Sequence, residues 1–215
     1  MHIVPLKTSA KIHLLFSHSK SFIIFYKIDS LQKVNKSSNS TKLSITICRP
    51  QLINKFTRMK VLLLMIGKTN QENLQQLIQD YMSRIQHYMN FESIIIPELK
   101  NIKNLSIAEQ KEKEADLILK QIEIQDDIIL LDENGKQYSS TAFSGYLEKK
   151  MSSSIKRTVF VIGGPFGFSK RIYDRANGMI SMSPMTFSHQ MIRLIFVEQL
   201  YRAMTIIRGE NYHHE

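Results

Sequence analysis

A chain of 215 residues with 43% hydrophobic content is long enough to bury a sizeable core in one or two domains. Its formal net charge of +10 indicates an anionic partner, but no apolar run approaches the roughly 18 residues that cross a bilayer. Beyond Cys48 there is no cysteine, which excludes disulfides, cysteine-ligated zinc and a cysteine nucleophile there and favours a reducing cytoplasm.

Residues 1–58 differ in composition from the rest of the chain. They carry ten of the 29 Lys/Arg residues but only one of the 19 acids, Asp29, so the remainder is almost neutral. We expect this basic, Ser/Lys-rich extension to be disordered, or to be upstream sequence translated in error before a true start at Met59. An organellar transit peptide or a genuine basic arm are the alternatives. The folded domain is predicted at residues 59–215.

From Met59 onward, apolar runs alternate with amphipathic segments. Residues 60–66 predict a buried strand, residues 67–70 a turn, and residues 71–89 an amphipathic helix. A second strand is predicted at 91–96, where Pro97 ends it.

A capping-box pattern, Ser106 to Glu109, opens the next predicted helix, which runs to about residue 122. A third strand is predicted at 127–131 and a turn at 132–135. Ser139 or Ser140 is expected to cap a helix that ends near residue 151.

The stretch from residue 160 to 190 carries the strongest prediction of a binding site. A strand at 158–162 stops at Gly163-Gly164, a short helix follows at 170–176, and a second apolar run at 178–183 is closed by Pro184. Glycine lets a ligand approach the main chain, and ligands bind outside the carboxyl ends of strands in open α/β sheets. The sequence therefore predicts a small-molecule site at these two strand ends.

Strand and helix alternation predicts an α/β fold with a parallel sheet covered by helices on both faces. The last predicted helix, residues 188–207, is apolar nearly all round, which indicates burial on two sides. One side can face its own sheet, and the other is expected to face a second subunit. We therefore predict a homodimer.

Single motifs leave alternatives open. GGPFG lacks the Gly-x-Gly spacing of a dinucleotide loop, and a mere tight turn would explain it. Asp132 is more often a strand terminus than a ligand contact, and His189 is more often a capping or packing residue than a proton carrier. His213-His214 lacks the partner ligands of a metal site, so no metal is predicted.

Five ordered blocks together resemble the RlmH family of SPOUT-superfamily methyltransferases across residues 59–215. They are LLDENGK (130–136), FVIGGPFG (160–167), ISMSPMTFSHQMIR (180–193), EQLYRA (198–203) and RGENYHHE (208–215). The resemblance implies a SPOUT-type parallel sheet with a C-terminal trefoil knot, and a homodimer. It also implies S-adenosylmethionine as cofactor and methylation of N3 of a pseudouridine in the decoding-region stem-loop of 23S rRNA.

The resemblance also implies site residues by position. Cofactor contacts are expected at Leu131, Gly163, Met182, Ser183, Pro184, Met185, Thr186 and Phe187. Candidates for the base or for positioning the substrate are His213, Tyr212 and His189, with the C-terminal tail completing the partner subunit's site. Phosphate contacts are expected at Arg202, Arg208 and His214, and also at Lys170, Arg171 and Arg175.

The near-neutral charge of residues 59–215 bears on the substrate. Proteins that grip free RNA generally present a broad basic surface. We therefore expect recognition of the assembled 70S ribosome and poor activity on isolated RNA. Two alternatives are a catalytically silent ribosome-binding or assembly factor on the same fold, and a nucleotide-dependent oxidoreductase on a Rossmann-like sheet.

Overall fold

The computed structural model describes residues 12–14, 24–26, 59–99 and 105–212. The chain divides into two units, Met1–Ile47 and Cys48–Glu215. In the first, strands β1 (Ile12–Leu14) and β2 (Ile24–Tyr26) pair antiparallel. The remainder of residues 1–58, with Cys48, lies outside the described residues, so the expectations for this extension remain predictions.

The second unit contains the predicted alternation of strands and helices. Except at the end of the third predicted strand, the observed ends lie within three residues of the predicted ones. The elements are β3 (Lys60–Ile66), α1 (Glu72–Gln86), β4 (Asn90–Ile96), α2 (Ile107–Leu119), β5 (Asp127–Gln137), α3 (Ser140–Ser152), β6 (Arg157–Ile162), α4 (Lys170–Arg175), β7 (Gly178–Ser181) and α5 (Met191–Arg208).

The five strands β3 to β7 form one parallel sheet in the order β4-β3-β6-β5-β7. Successive strand residues point to opposite faces, so that Leu63 packs with α1, α3 and α5 while Leu64 packs with α2 and α4. Both faces are therefore covered, which explains why the strands are apolar runs without alternation. The predicted α/β fold with helices on both faces is confirmed.

One element contradicts its prediction. The turn expected at residues 132–135 is part of β5, which shifts register after Leu131 and pairs with β7 again at Lys136 and Gln137. Asp-Glu-Asn-Gly has a turn composition, but Gly135 has no side chain and can lie against the main chain of Ile180. The segment is therefore a bulge within a paired strand.

Helix ends follow their local signals. The capping box at α2 is present, because Ser106 Oγ accepts from Glu109 N–H while the Glu109 carboxylate accepts from Ser106 N–H. Of the two candidate caps for α3, Ser139 is the one whose hydroxyl accepts a hydrogen bond, from Ala142 N–H. Helix α5 ends at Arg208 and is followed by Gly209, whose φ of 69° is the left-handed conformation common after helices.

Helix α5 packs against α1 and α3, and Met191 is its only exposed residue. Six apolar residues of this helix nevertheless remain half-buried: Ile192, Leu194, Ile195, Tyr201, Ile206 and Ile207. Contacts within one chain therefore do not bury helix α5 on both sides, as its sequence predicts. The trefoil knot remains a prediction, and among the described helices none is long and apolar enough to span a membrane.

Candidate functional site

The carboxyl ends of three neighbouring strands, β6, β5 and β7, meet at one edge of the sheet. Leu131 of β5 pairs with Ile162 of β6 on one side and with Ile180 of β7 on the other. A cavity of about 570 Å³ lies at these ends. The site that the sequence predicted at two strand ends is thus bounded by three.

Seven of the eight expected cofactor residues line this cavity: Leu131, Gly163, Met182, Ser183, Met185, Thr186 and Phe187. The eighth, Pro184, is exposed and lies outside the cavity wall. His189 also contributes to the wall. The structure therefore brings residues from three strand ends and one loop to the same place, although up to 56 positions separate them in the chain.

The GGPFG loop is held by close contacts on its glycines. A Cβ on Gly163 would lie 3.0 Å from the ring of Phe168, and one on Gly164 would lie 2.8 Å from the Glu114 carboxylate. These contacts leave no room for a side chain at either position. Both glycines line the cavity, so they present main chain there.

Glu114 supports this loop from α2. It is buried, and its carboxylate accepts a hydrogen bond of 2.8 Å from the Gln110 side chain. Burial raises its pKa; the Gln110 hydrogen bond lowers it, while the negative charge of Glu98 raises it further. Sequence periodicity gave no hint of this role, because Glu114 reads as an ordinary polar residue of a helix.

Tyr173 and Asp132 form a second feature that the sequence did not reveal. Both line the cavity, and the Tyr173 hydroxyl donates to Asp132 Oδ2 at 2.6 Å. Burial and this carboxylate raise the pKa of Tyr173 to about 12. The other oxygen, Asp132 Oδ1, accepts from Asn134 N–H at 2.9 Å. The carboxylate is thus fixed by its neighbours, and it braces the wall at the end of β5.

The loop after β7 is braced by its own serines. Ser181 Oγ donates to the Ser183 carbonyl at 2.8 Å, and Met185 N–H donates to Ser183 Oγ at 2.9 Å. Met185 and Phe187 nonetheless remain 75% and 42% exposed. The loop is therefore shaped in advance while its apolar side chains stay open to solvent.

Arg193 anchors the start of α5 behind this loop. Its guanidinium is fully buried and donates to Thr69 Oγ1 at 3.0 Å and to the Ile66 carbonyl at 2.5 Å. Nearby, Asn70 N–H donates to Gln190 Oε1 at 3.0 Å. Burial lowers the pKa of Arg193, although a guanidinium stays charged. The loop after β3 and the beginning of α5 are thus fastened together.

The remaining catalytic candidates lie elsewhere. Tyr212 does not line the cavity of its own chain; its hydroxyl lies 3.2 Å from Glu198 Oε1 and 3.3 Å from the Tyr81 hydroxyl. His213 lies outside the described residues, as does the expected phosphate contact His214. Within the described part of the chain, no group of three or more His, Cys, Asp or Glu could hold a metal ion.

The basic residues expected to contact phosphate already have intramolecular partners. Arg202 donates to Glu198, while Lys170 pairs with Asp174. Arg171 donates to Asp116 at 2.8 Å, and Arg175 donates to main-chain carbonyls of the loop before β5. Arg208 occupies the last turn of α5. Arg175 in particular acts as a brace for that loop.

Comparison of the sequence with known proteins identifies the family to which this chain belongs. A family model described as "Predicted SPOUT methyltransferase" matches residues 59–213. Proteins named ribosomal RNA large subunit methyltransferase H from Flavobacterium johnsoniae, Flavobacterium psychrophilum and Parabacteroides distasonis are each 57% identical to the chain over 157 residues. Each match covers 73% of this chain and 100% of the relative. The chain therefore belongs to the SPOUT methyltransferase family.

Proposed function

We propose that this chain methylates large-subunit ribosomal RNA, with S-adenosylmethionine as methyl donor and N3 of a pseudouridine in the decoding-region stem-loop of 23S rRNA as acceptor. The observation that carries the proposal is the 57% identity over the full length of relatives named large subunit methyltransferase H. Family membership also favours methyl transfer over the oxidoreductase alternative. A large-subunit rRNA substrate in a bacterium would place the protein in the cytoplasm.

The cavity suits this cofactor in size and chemistry. Its volume of about 570 Å³ falls within the roughly 300–1,000 Å³ of small-molecule sites. Leu131, Ile162 and Met182 offer apolar surface, and Gly163 offers main chain without a side chain of its own. These residues and the loop at 183–187 would hold S-adenosylmethionine, which supplies an electrophilic methyl group on its positively charged sulfur.

The residues of the chain would contribute chiefly by positioning and by moving one proton. Holding the acceptor nitrogen in line with the methyl group supplies much of the acceleration, and a general base adds roughly 10²- to 10⁴-fold. His189 lies in the cavity wall and is a candidate base there. Burial, Tyr81 and Glu198 raise the pKa of Tyr212, so this phenol stays protonated at neutral pH and is suited to positioning. His213 remains the other candidate base.

A homodimer with composite sites forms part of the proposal. Exposed apolar side chains, which often mark an interface, cluster around the cavity and the start of α5: Phe166, Met185, Phe187 and Met191 are 45%, 75%, 42% and 41% exposed. Tyr212 does not line the cavity of its own chain. Both observations support a partner subunit that covers the rim and inserts its own tail.

The activity can be tested with tritium-labelled S-adenosylmethionine and the purified full-length chain. We expect label in 23S rRNA of 70S particles from a strain that lacks this gene, and mass spectrometry of that rRNA should locate the methyl group on pseudouridine. A silent binding or assembly factor would associate with ribosomes without transferring label. Comparable turnover on naked 23S transcript would refute recognition of the assembled ribosome.

Subunit complementation tests the composite site. One variant lacks residues 211–215, and the other carries Gly163→Val, whose side chain would collide with the Phe168 ring and distort the cavity wall. Each homodimer should be inactive. If the tail acts in the partner's site, a mixed dimer regains one of its two sites, because the Gly163→Val subunit supplies its tail to the intact cavity of the tail-deleted subunit. If the tail acts in its own subunit, mixed dimers remain inactive.

A further inference from the structure

Four tyrosines from α1, the turn after it, α5 and the C-terminal tail meet beside the end of α5. The ring of Tyr201 lies 5.9 Å from Tyr81, 5.8 Å from Tyr88 and 4.8 Å from Tyr212, measured between centroids. The contacts with Tyr88 and Tyr212 are edge-to-face, an arrangement that aromatic rings favour. Tyr81, Tyr88 and Tyr201 therefore form a platform, hereafter the tyrosine platform, on which Tyr212 rests.

Hydrogen bonds fix the tail to this platform at two points. The Tyr88 hydroxyl donates to Glu210 Oε2 at 2.5 Å, and the hydroxyls of Tyr81 and Tyr212 lie 3.3 Å apart. Burial raises the pKa of Tyr88, and the acceptor Glu210 raises it further. Tyr88 is therefore a protonated donor throughout the neutral pH range.

Two cations complete the arrangement. The guanidinium of Arg202 lies 4.9 Å from the centroid of the Tyr212 ring, while its Nε donates to Glu198 Oε1 at 3.0 Å. The guanidinium of Arg84 lies 5.6 Å from the Tyr81 ring centroid and 5.8 Å from that of Tyr201. Tyr212 is thus held by ring, hydroxyl and cation contacts together.

The main chain turns onto the platform directly after α5. Gly209 adopts its left-handed conformation, and Glu210 N–H then donates to the Thr205 carbonyl at 2.9 Å. Tyr212 N–H donates to the Glu210 carbonyl at the same distance. The position of the chain from Gly209 to Tyr212 is therefore set by contacts with α1, the turn after it and α5 of its own subunit.

We propose that Tyr81 and Tyr88 are positioning residues for methyl transfer: they hold Glu210 and Tyr212 so that the tail enters the partner's cavity already oriented. This inference rests on the proposed function, in which the tail completes the partner's site. Ordering the tail before substrate arrives removes part of the entropy cost of assembling the site. Neither Tyr81 nor Tyr88 lines the cavity of its own chain, so in this proposal both act through the tail.

The test compares Tyr81→Phe, Tyr88→Phe and Glu210→Ala in the full-length chain. Losing one hydroxyl that fixes the tail should lower kcat on 70S particles by about 5- to 10-fold, the effect of one net hydrogen bond, with the Kd for S-adenosylmethionine within about twofold of wild type. The Tyr88→Phe/Glu210→Ala double variant should be no slower than either single variant, because Tyr88→Phe removes the donor and Glu210→Ala the acceptor of the same bond. A purely structural role would weaken cofactor binding and kcat together.

Carboxypeptidase digestion of the same proteins reports on the tail directly. Release of C-terminal residues should speed up in Tyr81→Phe and Tyr88→Phe. The control is Tyr146→Phe in α3, whose ring contacts Tyr138 and Phe143, and which should match wild type in kcat and digestion rate.

The two proposals fail in distinguishable ways. If deleting residues 211–215 left methylation intact, the composite site itself would be wrong. If that deletion abolished methylation while Tyr81→Phe, Tyr88→Phe and Glu210→Ala kept wild-type kcat and digestion rates, only the positioning role would be overturned.

Discussion

Gly135 lies directly against the main chain of Ile180, so closely that a Cβ at position 135 would come within 2.5 Å of the Ile180 carbonyl carbon. Gly135 belongs to the bulge of β5, and Ile180 belongs to β7. Leu131 on one strand and Ile180 on the other line the cavity. The spacing of the two strands at the site therefore depends on the absence of one methyl group.

Gly135→Ala should loosen this end of the sheet. The new methyl would meet main-chain atoms that cannot rotate away, so we expect a loss of about 1–3 kcal/mol in the free energy of unfolding. Cofactor affinity by calorimetry should fall as well. Gly145→Ala is the control, because a Cβ there meets no atom within 4 Å and alanine favours a helix. Wild-type stability and affinity in Gly135→Ala would contradict the close approach.

Gly163→Ala should weaken cofactor binding through Phe168. The added Cβ would press on the ring at 3.0 Å, and either the ring or the cavity wall must move. Replacing Phe168 by Leu in the same chain removes the ring and should restore part of the affinity measured by calorimetry. Phe168→Leu alone should cost stability, roughly 1–3 kcal/mol, because it leaves a void. An equal loss of affinity with and without Phe168→Leu would show that the contact is irrelevant.

Thr69→Val should destabilise the protein by about 1–2 kcal/mol, since it leaves one N–H of the buried Arg193 guanidinium without its acceptor. Valine keeps the shape of threonine and removes only the hydroxyl oxygen, which lies 3.0 Å from Arg193 Nη1. Thr69→Ser keeps that oxygen and serves as the matched control. Denaturant unfolding would measure both variants, and equal stability of the two would argue against the anchor.

The Asp126–Arg157 pair should make stability depend on pH in the acid range. Burial raises the Asp126 pKa, but the hydrogen bonds from Arg157 at 2.7 and 2.5 Å and from Glu123 N–H at 2.7 Å outweigh it, and the pKa falls below its ordinary 3.8. Because the folded pKa is the lower one, the carboxylate stabilises the fold fully above the unfolded pKa. This stabilisation is lost as pH falls through the folded value.

Asp126→Asn should therefore be less stable than wild type at neutral pH, with a difference that shrinks below about pH 4. Denaturant unfolding between pH 2.5 and 7 would reveal this convergence. Asp174→Asn is the control, because its ion pair with Lys170 is largely exposed and contributes little. A constant difference between wild type and Asp126→Asn across the acid range would rule out the lowered pKa.

Local sequence patterns determined most of the elements. The apolar run at 60–66 and the capping box at Ser106 depend on neighbours a few positions away, and both predictions are confirmed. The turn expected at 132–135 was wrong because its composition carries no information about β7, which lies about 45 residues later in the chain and pairs with the residues on both sides of this segment.

The sequence by itself determined the alternation of strands and helices, the apolar last helix and the glycine-terminated strand end, because periodicity, caps and glycine act over short stretches of chain. Only the tertiary structure decided which strand ends are neighbours. It places the Tyr173 hydroxyl within hydrogen-bond distance of Asp132, 41 positions away in the chain. It also brings Tyr212 to Tyr81, which is 131 positions away. Such contacts depend on strand order and on helix packing. Strand order and helix packing are set by the need to bury both faces of one sheet at once, and no short stretch of sequence contains that information.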